Sequence, residues 1–141
     1  MDAARSVQRS FRLSASTAEL LDREAETANE TRNALADRFL AEALRHEHHP
    51  LIRFQRGAVG RRLAMLAGTR LYVHQAVATL REENGSVRDT AEYLGVAPRF
   101  VQAALEYYAD FPDEVDADAA AAERAAEAER ERWERQQRAF T

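Results

Sequence analysis

The stretch "RHEHHP", residues 45–50, gathers His46, His48 and His49 beside Glu47, the side chains that bind metals or move protons. A helix presents a metal pair on one face when its ligands stand four apart. No two of these histidines do, and Pro50 breaks the chain just beyond them. The spacing predicts a frayed, solvated helix end, where the dipole also favours histidine. The chain has no cysteine, which removes disulfides, thiolate metal sites and thiol nucleophiles together. No Ser–His–acid arrangement and no glycine-rich phosphate loop is visible. The carboxylates fall on helix faces where solvation accounts for them. These residues predict a binding protein rather than an enzyme, with no cofactor and no metal.

Charge is unevenly placed along the 141 residues. All 20 basic residues are arginine. Residues 1–62 carry a net charge of +2, residues 63–112 carry −2 and residues 113–141 carry −4. A mildly basic front and an acidic tail suggest different partners at the two ends. No apolar run reaches the ~18 residues that span a bilayer, and no signal-peptide pattern is present, so a soluble, cytoplasmic chain is expected.

The elements that could position such partners begin with "SVQRSFRLS", residues 6–14. Its period of two predicts a β-strand with Val7, Phe11 and Leu13 on one face and Gln8, Ser10, Arg12 and Ser14 on the other. Arg9 interrupts the apolar face. "STAE" then offers a capping box, with Ser16 as N-cap and Glu19 three residues on. A helix carrying Leu20, Leu21 and Ala25 follows, and Asn29 suits a left-handed turn. Thr31 caps a second helix with Ala34, Leu35, Phe39, Leu40, Ala43 and Leu44, ending near His46 and Pro50. A strand and two helices in under 50 residues cannot close a core alone, so the strand is expected to pair with its own copy in a homodimer.

This layout resembles the ribbon-helix-helix family of bacterial repressors and antitoxins, on "RSFRLS", the capping Ser16 and the "NET" turn, over about residues 5–48. The resemblance implies that the polar ribbon face enters the DNA major groove, with Gln8, Ser10 and Arg12 at base edges. It implies that Thr31 and Arg32 open a helix whose N-terminal amides hold a phosphate. Arg9 departs from the family, which has an apolar residue there. A dimerisation ribbon without DNA binding is the plainer alternative.

Downstream, "LIRFQR" and "RRLAML" flank "GAVG" (57–60) and can form a hairpin. "AGTRLYVHQAVATL" (67–80) reads as a glycine turn, a short strand and a helix. Residues 86–108, "SVRDTAEYLGVAPRFVQAALEYY", read as a helix-turn-helix. Ala91 lies at the helix crossing, Gly95 at the turn and Val101 on the next apolar face, with Leu94, Val96 and Ala104 filling the remaining buried positions. Ser86 caps the first helix, Pro98 opens the second, and Thr90 is less apolar than its core position wants. The outward face of the second helix offers Arg99, Gln102, Ala103 and Glu106, a poor phosphate footprint. Residues 61–116 resemble family 433 of the domains of unknown function, on "LAGTRLYV", "AEYLGVAP" and "VQAALEYYADFPDEVDA". Members are commonly antitoxin-associated and linked to PIN or PIN-like toxins, which are metal-dependent ribonucleases. Gly68, Thr69 and Arg70 match the family turn, and Tyr107, Tyr108 and Phe111 read as core or dimer contacts.

The tail, after a Pro-Asp-Glu break, reads as a helix from Ala117, ~37 Å long at 1.5 Å per residue. Glu131–Arg135 and Glu134–Arg138 have favourable spacing. Ala119, Ala122, Ala126, Trp133 and Phe140 share a thin stripe. The tail is either a solvated single helix or an arm that docks on a toxin through Trp133, Arg135, Arg138 and Phe140.

The expected fold is mainly α. It has a ribbon-helix-helix domain (1–49), a linker or first hairpin strand (50–62), a helix-turn-helix-like domain (63–112) and a helical arm (113–141). The leading expectation is a VapB-like antitoxin of a type II toxin–antitoxin pair, a repressor that binds operator DNA and silences a PIN-like ribonuclease. A free-standing ribbon-helix-helix transcriptional regulator and a structural dimer or scaffold module stand as alternatives. Whether the middle domain adds a second interface and makes tetramers is left open.

Overall fold

The computed structural model describes residues 5–57 and 60–141. It is mainly helical with one small antiparallel sheet, and it divides into two units, residues 1–41 and 42–141. Ala58 and Val59, at the tip of the expected hairpin, lie outside the described residues.

In the first unit, residues 5–14 form neither helix nor strand and are exposed throughout. A strand needs a hydrogen-bonded neighbour, and the single chain supplies none here. Helix α1 (Ala15–Ala28) is capped by Ser14, whose Oγ accepts from the Thr17 amide at 3.3 Å. Ser16, the expected cap, already lies inside the first turn, so the capping box with Glu19 does not form. Ser14 wins because its backbone is extended (φ −64°, ψ 153°), as an N-cap requires. Asn29 ends α1 in the left-handed region at φ 53°, as its side chain predicts. Helix α2 (Arg32–His48) starts where expected: Thr31 Oγ1 accepts from the Ala34 amide at 3.1 Å. The division between units falls inside α2.

The second unit opens with the hairpin, β1 (Ile52–Arg56) against β2 (Arg62–Leu66), in the register Phe54↔Ala64. The short strand expected after the glycine turn reduces to a single bridge, Met65↔Tyr72. Gly68 turns the chain at φ 73°. Thr69 closes that turn: its hydroxyl donates to Leu66 O at 2.7 Å and accepts from the Leu71 amide at 3.1 Å. Helix α3 (Val73–Glu82) follows, with Gln75 Oε1 accepting from the Tyr72 amide at its start.

The helix-turn-helix forms as α4 (Val87–Leu94) and α5 (Pro98–Asp110). Ser86 caps α4 by accepting from the Asp89 amide at 3.1 Å, Gly95 takes the left-handed turn at φ 69°, and Pro98 opens α5. Helix α6 (Pro112–Phe140) begins five residues before the expected Ala117. Pro112 suits a first helical position, and Asp113 and Glu114 meet the positive end of the dipole, so "PDE" starts the helix instead of breaking it.

Ile52, Ala64, Leu66, Val73, Ala76, Val77, Ala104, Tyr107 and Val115 form the main core. Leu80, Ala91 and Val101 form a smaller cluster between α3, α4 and α5. Thr90 is fully buried on α4 and its hydroxyl has no hydrogen-bond partner among the described residues.

Candidate functional site

In the first unit, Gln8, Ser10 and Arg12 alternate along the exposed leading segment. Arg9, the departure from the apolar pattern, donates to the neighbouring Gln8 carbonyl at 3.2 Å. Thr31 is committed to its cap. Arg32 Nε donates to Asp22 Oδ1 at 2.6 Å, so its guanidinium ties α2 to α1 and leaves other N–H groups for a ligand. The apolar side chains of this unit are largely uncovered. Val7 is 62% exposed, Phe11 72%, Leu13 50% and Leu20 62%. Helix α1 buries no residue, and Leu35 is the one fully buried hydrophobic side chain among the described residues of the unit.

The tail behaves differently along its length. Val115, Asp118 and Ala121 are buried, so the first third of α6 belongs to the packed second unit. From Glu123 onward every residue is exposed. Trp133 is 59% exposed and Phe140 91%, and they share a stripe, with Arg135 and Arg138 exposed beside them. The i, i+4 pairs Glu131–Arg135 and Glu134–Arg138 do not form among the described contacts. Arg130 pairs with Glu127 instead, and Arg132 with Glu129 at 2.9 Å. The three-residue spacing serves these side chains equally well on a solvated helix.

Three polar clusters in the second unit were hidden in the sequence. The first corrects the reading of the histidines. His49 is not solvated: it is 8% exposed, with Tyr107 and Phe111 rings edge-on at 5.1 Å and 5.9 Å. Its Nε2 lies 2.8 Å from Asp110 Oδ2, 61 residues away. His46 is held too, with Arg53 Nη1 2.7 Å from its Nδ1. Among the described residues, no three metal-type ligands gather around these histidines. A cleft of about 450 Å³ opens beside His49, lined by Leu44, Arg45, His48, Asp110 and Phe111.

The second cluster joins α2, α5 and α6. The Tyr107 hydroxyl donates to Glu114, whose other oxygen lies 3.3 Å from Arg45 Nε, and the Arg45 guanidinium covers the Phe111 ring at 4.5 Å. Burial, reinforced by the Glu114 carboxylate, pushes the Tyr107 phenol well above its ordinary range. The third cluster is Asp118 against Arg61, 2.8 Å apart in an ion contact that is not aligned as a hydrogen bond. Burial raises the Asp118 carboxyl to about 6, opposed by Arg61 and reinforced by Glu114. Asp118 stands three residues from both Val115 and Ala121, so its burial corrects the expectation that the carboxylates lie on solvated helix faces. The His49–Asp110 pair gave no local signal, because it links distant elements.

No protein-family model, curated protein or solved structure matches the chain. The geometry therefore carries the functional reading unaided. It places uncovered apolar surface at the leading segment and at the end of α6, and a packed scaffold between β1 and the first third of α6. No described helix is long and apolar enough to cross a membrane.

Proposed function

We propose that this chain is the antitoxin of a type II toxin–antitoxin pair, dimeric through its first unit and holding a PIN-like ribonuclease through its tail. The observation that carries the reading is the uncovered first unit. Val7, Phe11, Leu13 and Leu20 stay exposed, no residue of α1 is fully buried, and residues 5–14 are exposed and form no strand. A unit of this size with so little buried apolar surface does not hold its fold alone. A second copy supplies both missing parts, a strand to pair with residues 6–14 and helices to cover the apolar face of the ribbon. The opposite ribbon face then carries Gln8, Ser10 and Arg12 toward operator DNA, with the first turn of α2 at Thr31 and Arg32 against a phosphate. Binding its own operator makes the chain a repressor of its operon.

The toxin-binding half rests on the exposed end of α6. Trp133 and Phe140 are the large apolar anchors, and Arg135 and Arg138 suit the carboxylate cluster of a metal-dependent nuclease. Deleting residues 117–141 would remove the buried Asp118 and Ala121 and damage the scaffold. The informative truncation removes 123–141, which is exposed throughout. The chain co-expressed with the product of the adjacent reading frame is expected to co-purify with it and suppress its ribonuclease activity. The truncated chain is expected to lose both while keeping its thermal unfolding midpoint. Retained neutralisation would move the toxin-binding surface to the scaffold, and no interaction with any neighbouring product would leave a free-standing regulator.

A further inference from the structure

We propose that α2 is held in helical form from its C-terminal end, by a polar clamp on residues 42–49, and stays formed when α1 does not. The partners of these residues carry the inference. Glu42 accepts from Arg62 through both carboxylate oxygens, one contact being 2.9 Å, which ties α2 to β2. Arg45 Nε lies 3.3 Å from Glu114 in the first turn of α6, and its guanidinium covers the Phe111 ring. His46 Nδ1 lies 3.1 Å from Ile52 O on β1. His49, one residue past the helix end, meets Asp110 at the end of α5. Within about two turns, four side chains thus reach four elements of the second unit. Arg45, His46 and His48 also stand in the last turn, where cations favour the helix dipole.

The first part of α2 has less to hold it. Residues 32–41 are fewer than the ~12–15 that keep a helix in water. Leu35 is the one buried residue of α2, and Phe39 and Leu40 are exposed. The pair that joins this part to α1, Arg32 with Asp22, is 69% and 52% exposed, so it contributes little. Arg38 with Glu30, at 3.5 Å, staples only the turn just before α2.

Starting a helix is unfavourable by a factor on the order of a thousand, whereas extending one gains a hydrogen bond for each residue fixed. The clamped turns supply the start, and residues 32–41 extend from them toward Thr31. Helix α1, with 14 residues and none fully buried, has no clamp of this kind among the described residues. The order of formation is the second unit, then α2, then α1 and the leading segment. On the antitoxin reading, each copy brings a ready-made α2 to pairing and to the phosphate at Thr31 and Arg32, which lowers the ordering cost of both. The clamp itself lies within the second unit and does not need that reading.

Hydrogen exchange of the full-length chain, read by mass spectrometry, tests the order. Phe11→Glu and Leu13→Glu are carried throughout, so that pairing through the leading segment protects neither helix. Amides at 33–41 are expected to exchange at least about tenfold more slowly than those at 16–28. Glu42→Gln with Arg45→Met is expected to bring 33–41 to the rate of 16–28 while the amides of α5 stay protected. Asp22→Asn, which cuts the exposed pair at the other end of α2, is expected to leave 33–41 unchanged. Equal rates at 16–28 and 33–41 with the clamp intact would overturn the proposal. So would protection at 33–41 that survives the clamp variant, or that is lost in Asp22→Asn, which would place the support of α2 in the first unit. Deprotection of α5 by the clamp variant would make these pairs part of the scaffold's own core and overturn it as well. None of these readouts involves DNA or the adjacent gene product, so their failure is separate from a failure of the antitoxin reading.

Discussion

Asp118 places a carboxylate in the packed stripe of α6 with one partner, Arg61, that is itself 42% exposed. Its folded pKa of about 6 lies above the ordinary 3.8. The folded chain therefore holds this proton more tightly than the unfolded chain between those values. The contribution to stability is fully present below about pH 3.8 and is lost as pH rises through about 6. Its size is on the order of 1–3 kcal/mol, counting one to two units at 1.36 kcal/mol each. Asp118→Asn keeps the shape without the charge, so urea unfolding followed from pH 4 to 7 is expected to show a flatter pH dependence in the variant and higher stability than the native chain at pH 7. Equal slopes would mean that Asp118 is ionised and solvated in the folded chain. Residue types carry a signal for this group, since an acid three residues from Val115 and from Ala121 shares their face, but the carboxylates were expected on solvated faces. Residue types could not locate the His49–Asp110 contact, because nothing local in "HHP" or "YAD" distinguishes a buried pair from two solvated side chains.

At the scale of elements, the helix starts show where local chemistry suffices. Ser86, Thr31 and Pro98 stand where their side chains predict, because caps act within three residues. Two starts were misplaced. Ser14 and Ser16 are equally good caps by type, and the extended backbone at Ser14 chooses between them. Ser14→Ala is expected to cost about 0.5–2 kcal/mol in the stability of the first unit and Ser16→Ala only a few tenths, measured by helical circular dichroism on heating. The reverse order would return the cap to Ser16. At α6, "FPDEVDA" has both a turn-like and a helix-opening reading. Tyr107 and Glu114, joined by a hydrogen bond across the α5–α6 junction, hold the second. The glycine turns at Gly68 and Gly95 were legible because left-handed φ is a property of one residue.

Across the whole molecule, the exposed apolar residues of the first unit are the feature with the largest consequence. If a second copy covers them, dimerisation and DNA binding must fall together on dilution, because the reading face is built from both chains. Sedimentation at decreasing concentration is expected to show a dimer, and fluorescence anisotropy to show operator binding that weakens steeply with salt. Arg12→Ala is expected to cost about 1–3 kcal/mol of operator affinity and leave the sedimenting mass unchanged. A fully folded monomer at micromolar concentration would remove the basis of the dimer reading. An Arg12→Ala chain with native affinity would remove the ribbon from base contact.

The sequence alone sufficed for the helices, their caps at Thr31 and Ser86, the hairpin around "GAVG" and the crossing of α4 with α5. Each rests on periodicity or on a residue's own backbone preference, which act over a few positions. Only the tertiary structure decided that His49 is buried against Tyr107 and Asp110, that α6 starts at Pro112, and that its first third is core while its last two thirds are free. Those outcomes depend on which distant surfaces meet. An alanine-rich stripe buries too little area for its own pattern to say where the packing stops.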